Sequence, residues 1–598
     1  MLKLLKKISF KEFLLILVCV LFIVGQVYLD LRLPDYMTEI TKLVQTEGSH
    51  ISEILVQGGY MLLCAAGSLI SACIVGYFAS YISSQFSKKV REDLFCKVQD
   101  FSMEEMNKFS ISSLITRTTN DVTQVEMLIA MGLQLIIKAP ITAVWAVMKI
   151  LGKNILWSEI IGGAVIILLL TVGIIMKLVF PNFKKVQDLI DKVNNVTREN
   201  LTGLRVVRAF NAEKYQEEKF EVENNKLTKM QTFNQRMLGV MNPMMNLIMN
   251  SVTFFIYLSG AFLIEGAGMA DKIGIFSNMV VFSSYGMQVL MSFLMLAMIF
   301  MMMPRASVSA KRILEVLESD ISIKDGNKKE GKKGIKGQVE FKNVSFKYPD
   351  AEENIINNIS FKIDKGETLA IIGSTGSGKT TLINLIPRFF DTTEGQVLVD
   401  GIDVKEYTQS SLHNKLGYVP QKAVMFSDSI MNNVSYGEDG KNNKTEDKLK
   451  KAIEVAQGKE FVESMEDKYE SHIAQGGTNI SGGQKQRLSI ARAIAREPEI
   501  YIFDDSFSAL DYKTDFILRK ELKAYTKDAT NIIVAQRIGT VMHADKILVL
   551  DEGNCVGLGT HDELMKTCKT YQEIAYSQLS KEELANAWSK TCKKKCWA

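Results

Sequence analysis

Residues 370–385 read AIIGSTGSGKTTLINL. The apolar run from Thr368 to Ile372 predicts a buried strand, the glycine-rich stretch a turn, and Lys379 the opening of a helix. Gly373, Gly376, Gly378, Lys379 and Thr380 match the pattern G-x-x-x-x-G-K-[ST]. In such a turn the glycines let successive backbone N–H groups, here through Ser374, Thr375, Gly376 and Ser377, face a phosphate chain, and the helix N-terminus adds its positive end. On this reading Lys379 reaches the β- and γ-phosphates of a nucleotide, Thr380 ligates Mg²⁺, and Thr381 sits beside them. A glycine-rich strand–helix turn carrying a surface lysine would produce the same letters. Matching parts downstream argue against it.

A chain of 598 residues is too long for one core, and a net charge of +4 gives no case for a nucleic-acid partner. The hydrophobic share of 47% is an average over two unlike halves. Residues 1–303 are dominated by long apolar runs, whereas residues 320–598 have the mixed composition of a soluble domain. The eight cysteines (Cys19, Cys64, Cys73, Cys96, Cys555, Cys568, Cys592 and Cys596) are scattered and imply no disulfide framework. Cys592 and Cys596 flank three lysines, which reads as a solvated tail more readily than as a metal site.

The first half predicts a helical membrane domain. Residues 1–12, MLKLLKKISFKE, form a basic amphipathic segment suited to a membrane interface, and no small-residue cleavage site follows to suggest a signal peptide. Six spans are expected at Phe13–Leu29, Ile54–Ser87, Met127–Leu151, Ile160–Phe180, Met237–Ile264 and Ile273–Pro304. The segment 84–126 carries six lysines and arginines and the segment 181–236 carries eleven, so both loops are expected in the cytoplasm. Both keep helical periodicity, with turn-round helices expected near Ile111–Thr116 and Gly203–Ala212. No acidic residue lies within the expected spans clear of their ends, which favours an energy source other than ion coupling. Lys149 and Lys177 can snorkel to an interface; Lys138 lies deeper and is either structural or part of a polar cavity. Met287, Met291, Met295, Met298 and Met302 recur on one helical face, a pattern that suits either ordinary filler or a path for varied apolar ligands.

After a helix at Arg305–Asp320, the stretch GNKKEGKKGIKG (326–337) reads as a flexible basic linker. Strands are then expected from Val339, with Tyr348 placed to stack on a base. The phosphate turn is followed by GYVPQ, whose Gln421 can reach Mg²⁺ or an attacking water. Further on, NISGGQKQRLSIARAIAR sets Ser481, Gly482, Gly483 and Gln484 at a helix start, a second anion-binding end. An apolar strand, Ile500–Phe503, delivers Asp504 as a candidate Mg²⁺ ligand with Asp505 behind it. SALD (Ser508–Asp511) and the strand NIIVAQ, ending at Gln536, complete the series.

In this order the motifs resemble an ATP-binding cassette: Walker A, glutamine loop, signature, Walker B, SALD and a switch residue. With six spans ahead of it, the chain resembles a half-transporter of the ABC exporter class over roughly residues 10–576. The fold implied is an α-helical six-span membrane domain (13–320), a linker (321–337), an α/β P-loop cassette (338–576) and a tail (577–598). The resemblance further implies that cassettes pair head to tail, with ATP held between one chain's Walker A and the other's Ser481–Gln484 signature, Asp511 lying close by.

Two departures from the family pattern stand out. The residue after the Walker B aspartate is usually glutamate, the base for the attacking water; here it is Asp505. One methylene fewer withdraws the carboxylate by about 1 Å, a misplacement that can cost roughly a hundredfold in rate. The usual switch histidine is Gln536, an amide that cannot carry a proton or a positive charge, and His543 lies too far along the chain to replace it. The signature differs only by Ile480 in place of leucine. The pattern resembles the degenerate subunit of heterodimeric multidrug exporters, which implies ATP binding with poor hydrolysis at the Asp505, Gln536 and Gln421 site and a partner half-transporter with the intact residues. A homodimer with two slow sites, or a nucleotide-gated channel or sensor, are the alternatives. A soluble P-loop machine on nucleic acid is opposed by the six spans, and an importer by the fusion of both parts on one chain.

Overall fold

The computed structural model describes residues 2–46, 49–151, 154–349, 351–437 and 445–578, so Cys592 and Cys596 lie outside the described residues. The chain divides into two compact units: Met1–Gln99 with Ser110–Ser319, and Asp100–Phe109 with Asp320–Ala598.

Among the described residues of the first unit, six helical stretches are long and apolar enough to cross a membrane: Phe10–Gln45, Ile51–Gln99, Ile111–Ile150, Ile155–Thr202, Glu213–Glu265 and Asp271–Leu317. Each holds one expected span, the third stopping one residue short of the expected Leu151. At 1.5 Å per residue the 48-residue helix Ile155–Thr202 is about 72 Å long, more than twice a hydrocarbon core of about 30 Å, so long helices continue beyond it. Ser9 starts the first of these helices through a capping box with Glu12, satisfying backbone donors that would otherwise be orphaned. The core gathers Val27, Leu31, Trp157, Phe282, Tyr285 and Val289, with Trp157 against Phe282 at 5.0 Å between ring centroids.

Short helices stand at both expected turns, Ile111–Thr116 and Leu204–Ala209. The segment just ahead of the first, with its helix Met103–Phe109, groups with the second unit, although the sequence reading counted it in the membrane domain. The reason is local: the buried carboxylate of Glu105 accepts from the backbone N–H of Ser322 at 3.0 Å and from Ser102.

The helix of the first span also outruns its expected end at Leu29 and carries Asp30 and Asp35 onward to Gln45. Lys138 Nζ meets Asp30 Oδ2 at 3.1 Å, and Lys149 Nζ meets Asp35 Oδ2 at 2.7 Å. Tyr285 donates to Asp35 Oδ1 at 2.7 Å, and Ser68 to Asp30 Oδ1 at 2.5 Å. Lys138 and Lys149 are therefore paired with carboxylates just past the expected end of the first span.

In the second unit a four-stranded antiparallel sheet runs β2-β1-β4-β5, with β1 Val339–Phe346, β2 Ile356–Ile363, β4 Glu394–Val399 and β5 Ile402–Asp403. A six-stranded sheet runs β12-β11-β3-β10-β9-β6, with β3 Thr368–Gly373, β6 Leu416–Val419, β9 Ile500–Asp504, β10 Thr530–Val534, β11 Lys546–Asp551 and β12 Asn554–Gly559, while β7 Asp428–Ser429 and β8 His472–Ile473 pair separately. All pairings among β11, β3, β10, β9 and β6 are parallel, and β12 is an antiparallel edge. The central strands carry nearly unbroken apolar runs because both sheet faces are covered. One core lies between the two sheets, and a second under the helix Gly482–Ala495 and its neighbours.

The basic stretch 326–337 is not the flexible connector its composition suggested. Gly326 N donates to Tyr407 O at 2.9 Å, Lys328 N to Glu406 O at 2.8 Å and Lys332 N to Asp400 O at 3.0 Å. A Cβ at Gly326 would lie 2.1 Å from Glu406 O, so glycine here serves close backbone contact rather than freedom of motion.

Candidate nucleotide site

Because β3, β10 and β9 are adjacent and parallel, their carboxyl ends share one edge of the sheet. That edge is where open parallel sheets place their ligands. Gly373 ends β3, Asp504 ends β9, and Gln536 follows β10 by two residues. The expected nucleotide residues from Gly373 to Thr381, together with Asp504, Asp505 and Gln536, therefore converge.

Gly376 and Gly378 have φ of +86° and +91°, the left-handed conformation that glycine adopts without strain, and they curl the turn so that its N–H groups point inward. Gly373 has a different reason: a Cβ there would meet the carbonyl of Leu550 at 2.1 Å. Ser374, Thr375 and Gly376 are exposed, while Ser377 is buried beneath them. Lys379 opens the helix Lys379–Asn384, and its ammonium donates to the carbonyls of Gly373 at 3.0 Å and Ser374 at 2.6 Å. Burial holds that ammonium below the usual lysine range, with Asp505 and Asp504 pulling the other way. Such a cation, ringed by the turn's own backbone, suits an incoming polyphosphate.

Thr380 donates its hydroxyl to Asp504 Oδ1 at 3.0 Å. Asp504 is 2% exposed, and burial raises its carboxyl above the ordinary aspartate range. A buried carboxylate supported by one hydroxyl and a nearby lysine charge fits a divalent cation, so the donor chemistry of Thr380 and Asp504 is right for Mg²⁺.

Asp505 has φ of +45° and anchors its N–H on Val534 O at 3.0 Å. Its Oδ2 accepts from Gln536 Nε2 at 3.1 Å, and the Gln421 side chain lies close enough to the same carboxylate to stabilise its charge. The two departures found in the sequence are thus direct partners. Burial raises the Asp505 carboxyl, with Gln421 opposing. Aspartate tolerates left-handed backbone better than longer side chains do, because its short polar group can bond locally.

Tyr348 packs edge-on to Phe346 and Phe390, at 5.0 Å and 5.3 Å, and its hydroxyl pairs with Thr381 Oγ1 at 3.1 Å. The expected base platform is therefore tied to the phosphate helix itself.

The signature residues are built separately. Ser481 caps the helix Gly482–Ala495, accepting from Gln484 N at 3.3 Å while Gln484 Oε1 accepts from Ser481 N at 2.8 Å. Ser481 and Gly482 are exposed, and a Cβ on Gly482 would meet nothing within 4 Å. This N-terminus is open to an outside anion. Asp511 caps the helix Tyr512–Tyr525 through Thr514 N at 2.9 Å, a structural task the sequence reading did not assign to it.

Sequence reasoning also missed Gln578. Its amide donates to Gln536 O at 2.7 Å and accepts from Ile538 N at 2.8 Å, gripping the switch segment from both sides. Nothing in the sequence could have linked residues 42 positions apart.

A P-loop sheet with a magnesium-type carboxylate and a second helix-end anion site, joined to six spanning helices, defines an ATP-dependent membrane transporter. The family models bear this out: an ABC transporter transmembrane region matches residues 13–293 and an ABC transporter domain matches residues 356–508. A Mycobacterium tuberculosis protein named as an uncharacterised ABC transporter ATP-binding protein is 38% identical over 521 residues, 87% of each chain. A Bacillus subtilis protein of like name, YfiB, is 32% identical over 534 residues, covering 89% of this chain and 91% of its own. The ATP-dependent lipid A-core flippase of Pseudoalteromonas translucida is 29% identical over 513 residues, 85% of this chain and 86% of its own. The solved structure of a bacterial Atm1-family ABC exporter with ATP bound superposes with a TM-score of 0.77 at 23% identity, covering 96% of this chain and 99% of that one. The chain belongs to the ABC transporter family. It is a half-transporter of the exporter class, a six-helix membrane domain fused to an ATPase cassette.

Proposed function

We propose that this chain is the degenerate half of a heterodimeric exporter: it binds ATP at its own Walker site, hydrolyses it poorly, and lends its signature to the active site of a different partner half-transporter. The observation that supports this best is the bond between Asp505 and Gln536 at 3.1 Å. The shortened carboxylate is occupied by an amide that cannot accept a proton, and both features weaken activation of water. By contrast, the exposed Ser481–Gln484 helix start departs from the family pattern by little.

On this reading Tyr348 stacks on adenine, Gly373–Thr381 hold the phosphates, and the partner's ATP is completed by Ser481, Gly482, Gly483 and Gln484. Thr380 and Asp504, with Gln421, would hold Mg²⁺, which when bound would supply charge neutralisation for the phosphates. The remaining work belongs to the chain's own groups. Lys379 compensates the β/γ charge, and Asp505 and Gln421 orient the water without removing its proton efficiently.

The cargo proposed is a hydrophobic or amphiphilic compound. Support comes from the methionine face of the sixth span and from a relative whose name specifies a lipid flippase. The basic loops favour a plasma-membrane orientation with the cassette and N-terminus in the cytoplasm. A second reading, a homodimer with two slow sites, is favoured by the raised Asp505 carboxyl, since a stronger base is a better one.

Mg-ATPase of the purified chain in lipid, alone and co-expressed with a neighbouring half-transporter, decides between the two. Inactivity alone, with activity in the pair that survives Asp505→Asn but not loss of the partner's base, supports the heterodimer. Measurable turnover by the lone chain, abolished by Asp505→Asn, supports the homodimer.

A further inference from the structure

The second unit contains a groove that the nucleotide site does not use. Its floor is Asn531 and Ile533 of β10, one wall is the helix Tyr512–Tyr525, and the other is the segment around Gly539–Ala544. Its volume is about 510 Å³, enough for a drug-sized molecule. The helix wall presents one continuous stripe at helical spacing. Tyr512 and Phe516, 79% and 60% exposed, stand at one end, and Lys520 and Lys523 at the other. Among the described residues neither lysine has an ion-pair partner, whereas the neighbouring Arg519 is engaged by Asp515 and by the carbonyl of Gly539 at 2.8 Å. In the floor, Asn531 is 7% exposed and its Oδ1 has no hydrogen-bond partner, a cost that a native interior rarely leaves uncompensated.

We propose that this groove is a regulatory binding site for a small amphiphilic organic anion: an aromatic or aliphatic body against Tyr512 and Phe516, and an anionic group at Lys520 and Lys523. Exposed aromatic side chains and two cations without ion-pair partners in one cleft are complementary to that chemistry. The position gives the site its consequence. One wall begins directly after Asp511 of the SALD turn, and the other begins directly after Gln536 and Arg537. Arg519 already ties the two together through Gly539. A ligand wedged between them fixes the spacing of two segments that border the nucleotide site, so its occupancy changes ATP turnover.

The test uses the full chain in nanodiscs and 8-anilinonaphthalene-1-sulfonate as probe, which carries an aromatic body, a sulfonate and an N–H donor. N-phenyl-1-naphthylamine, its neutral analogue, is the control, and the signal from empty nanodiscs is subtracted. The charge-reversed variant Lys520→Glu/Lys523→Glu and the variant Phe516→Ser alter exposed positions and leave the core intact. The expected result is saturable sulfonate binding that weakens about tenfold in each variant, with the neutral analogue binding weakly to all three proteins. Binding also shifts the affinity for a fluorescent ATP analogue in the parent chain and not in the variants. Equal sulfonate affinity in parent and variants, or equal binding of the neutral analogue, overturns the proposal. Saturable binding that leaves nucleotide affinity unmoved overturns the regulatory part.

Discussion

Replacing Asp505 by glutamate, together with Gln536 by histidine, should turn this cassette into a faster ATPase, and the size of the gain can be worked from the geometry. Glutamate advances the carboxylate by about 1 Å, and a misplacement of that size is associated with roughly a hundredfold in rate. The advance is obstructed in the single variant, because Gln536 Nε2 lies 3.1 Å from the carboxylate oxygen and would have to swing aside. The histidine replacement removes that amide. Against the gain stands the backbone: position 505 has φ of +45°, and a longer side chain there costs about 1 kcal/mol more than aspartate, or roughly a fivefold loss of the competent conformer. The net expectation is an increase on the order of twentyfold for the double variant, with a smaller one for Asp505→Glu alone. The assay is phosphate release by the purified chain in nanodiscs at saturating Mg-ATP, with nucleotide affinity measured alongside. A double variant that binds ATP as tightly as the parent yet turns over no faster would refute the reasoning that reach and amide occupancy limit this site.

Other outcomes follow from the same geometry. Lys379→Ala removes the cation held by the Gly373 and Ser374 carbonyls and should weaken ATP binding at least about tenfold by equilibrium titration. Asp504→Asn removes a charge whose burial is unfavourable, so without Mg²⁺ or nucleotide its thermal midpoint should rise, while the Mg²⁺ dependence of nucleotide binding is lost. Because the Asp504 carboxyl is raised by burial and must lose its proton to hold the metal, Mg²⁺-dependent nucleotide affinity in the parent should decline as pH falls, beginning above the usual carboxylate range; Asp504→Asn should not show that decline. In the membrane domain, Asp30→Asn strands Lys138 and should destabilise by about 3 kcal/mol, whereas Asp30→Asn/Lys138→Met should recover most of the loss, as read by unfolding in detergent.

The cassette was legible in the sequence because its function depends on backbone geometry, which leaves a fixed spacing of glycine, lysine and aspartate behind. The strand–turn–helix at 368–384, the Asp504 strand end and the Ser481 cap all stand where those letters put them. The six spans were legible for a cruder reason, since water is excluded from a bilayer and apolar length records it. What escaped was partnership across long separations. Asp30 with Lys138, and Gln578 with Gln536, are pairs that only the fold brings together. The linker failed for a different reason: glycine and lysine mark both flexible chain and chain pressed against a neighbouring backbone, and Gly326 beside Glu406 is the second kind. The grouping of the helix Met103–Phe109 with the second unit rests on contacts such as Glu105 with Ser322, which also join residues far apart in the chain.

The central claim, that this chain holds ATP at its own Walker site without hydrolysing it well, is tested most directly by a single-turnover experiment. The purified chain in nanodiscs is mixed with a substoichiometric amount of γ-labelled ATP and Mg²⁺, and bound ATP and released phosphate are followed together. The account predicts rapid binding, lost in Lys379→Ala, with the γ-phosphate still intact over times in which the Asp505→Glu/Gln536→His variant has completed its turnover. Phosphate release by the parent chain as fast as by that variant, and abolished by Asp505→Asn, would contradict it.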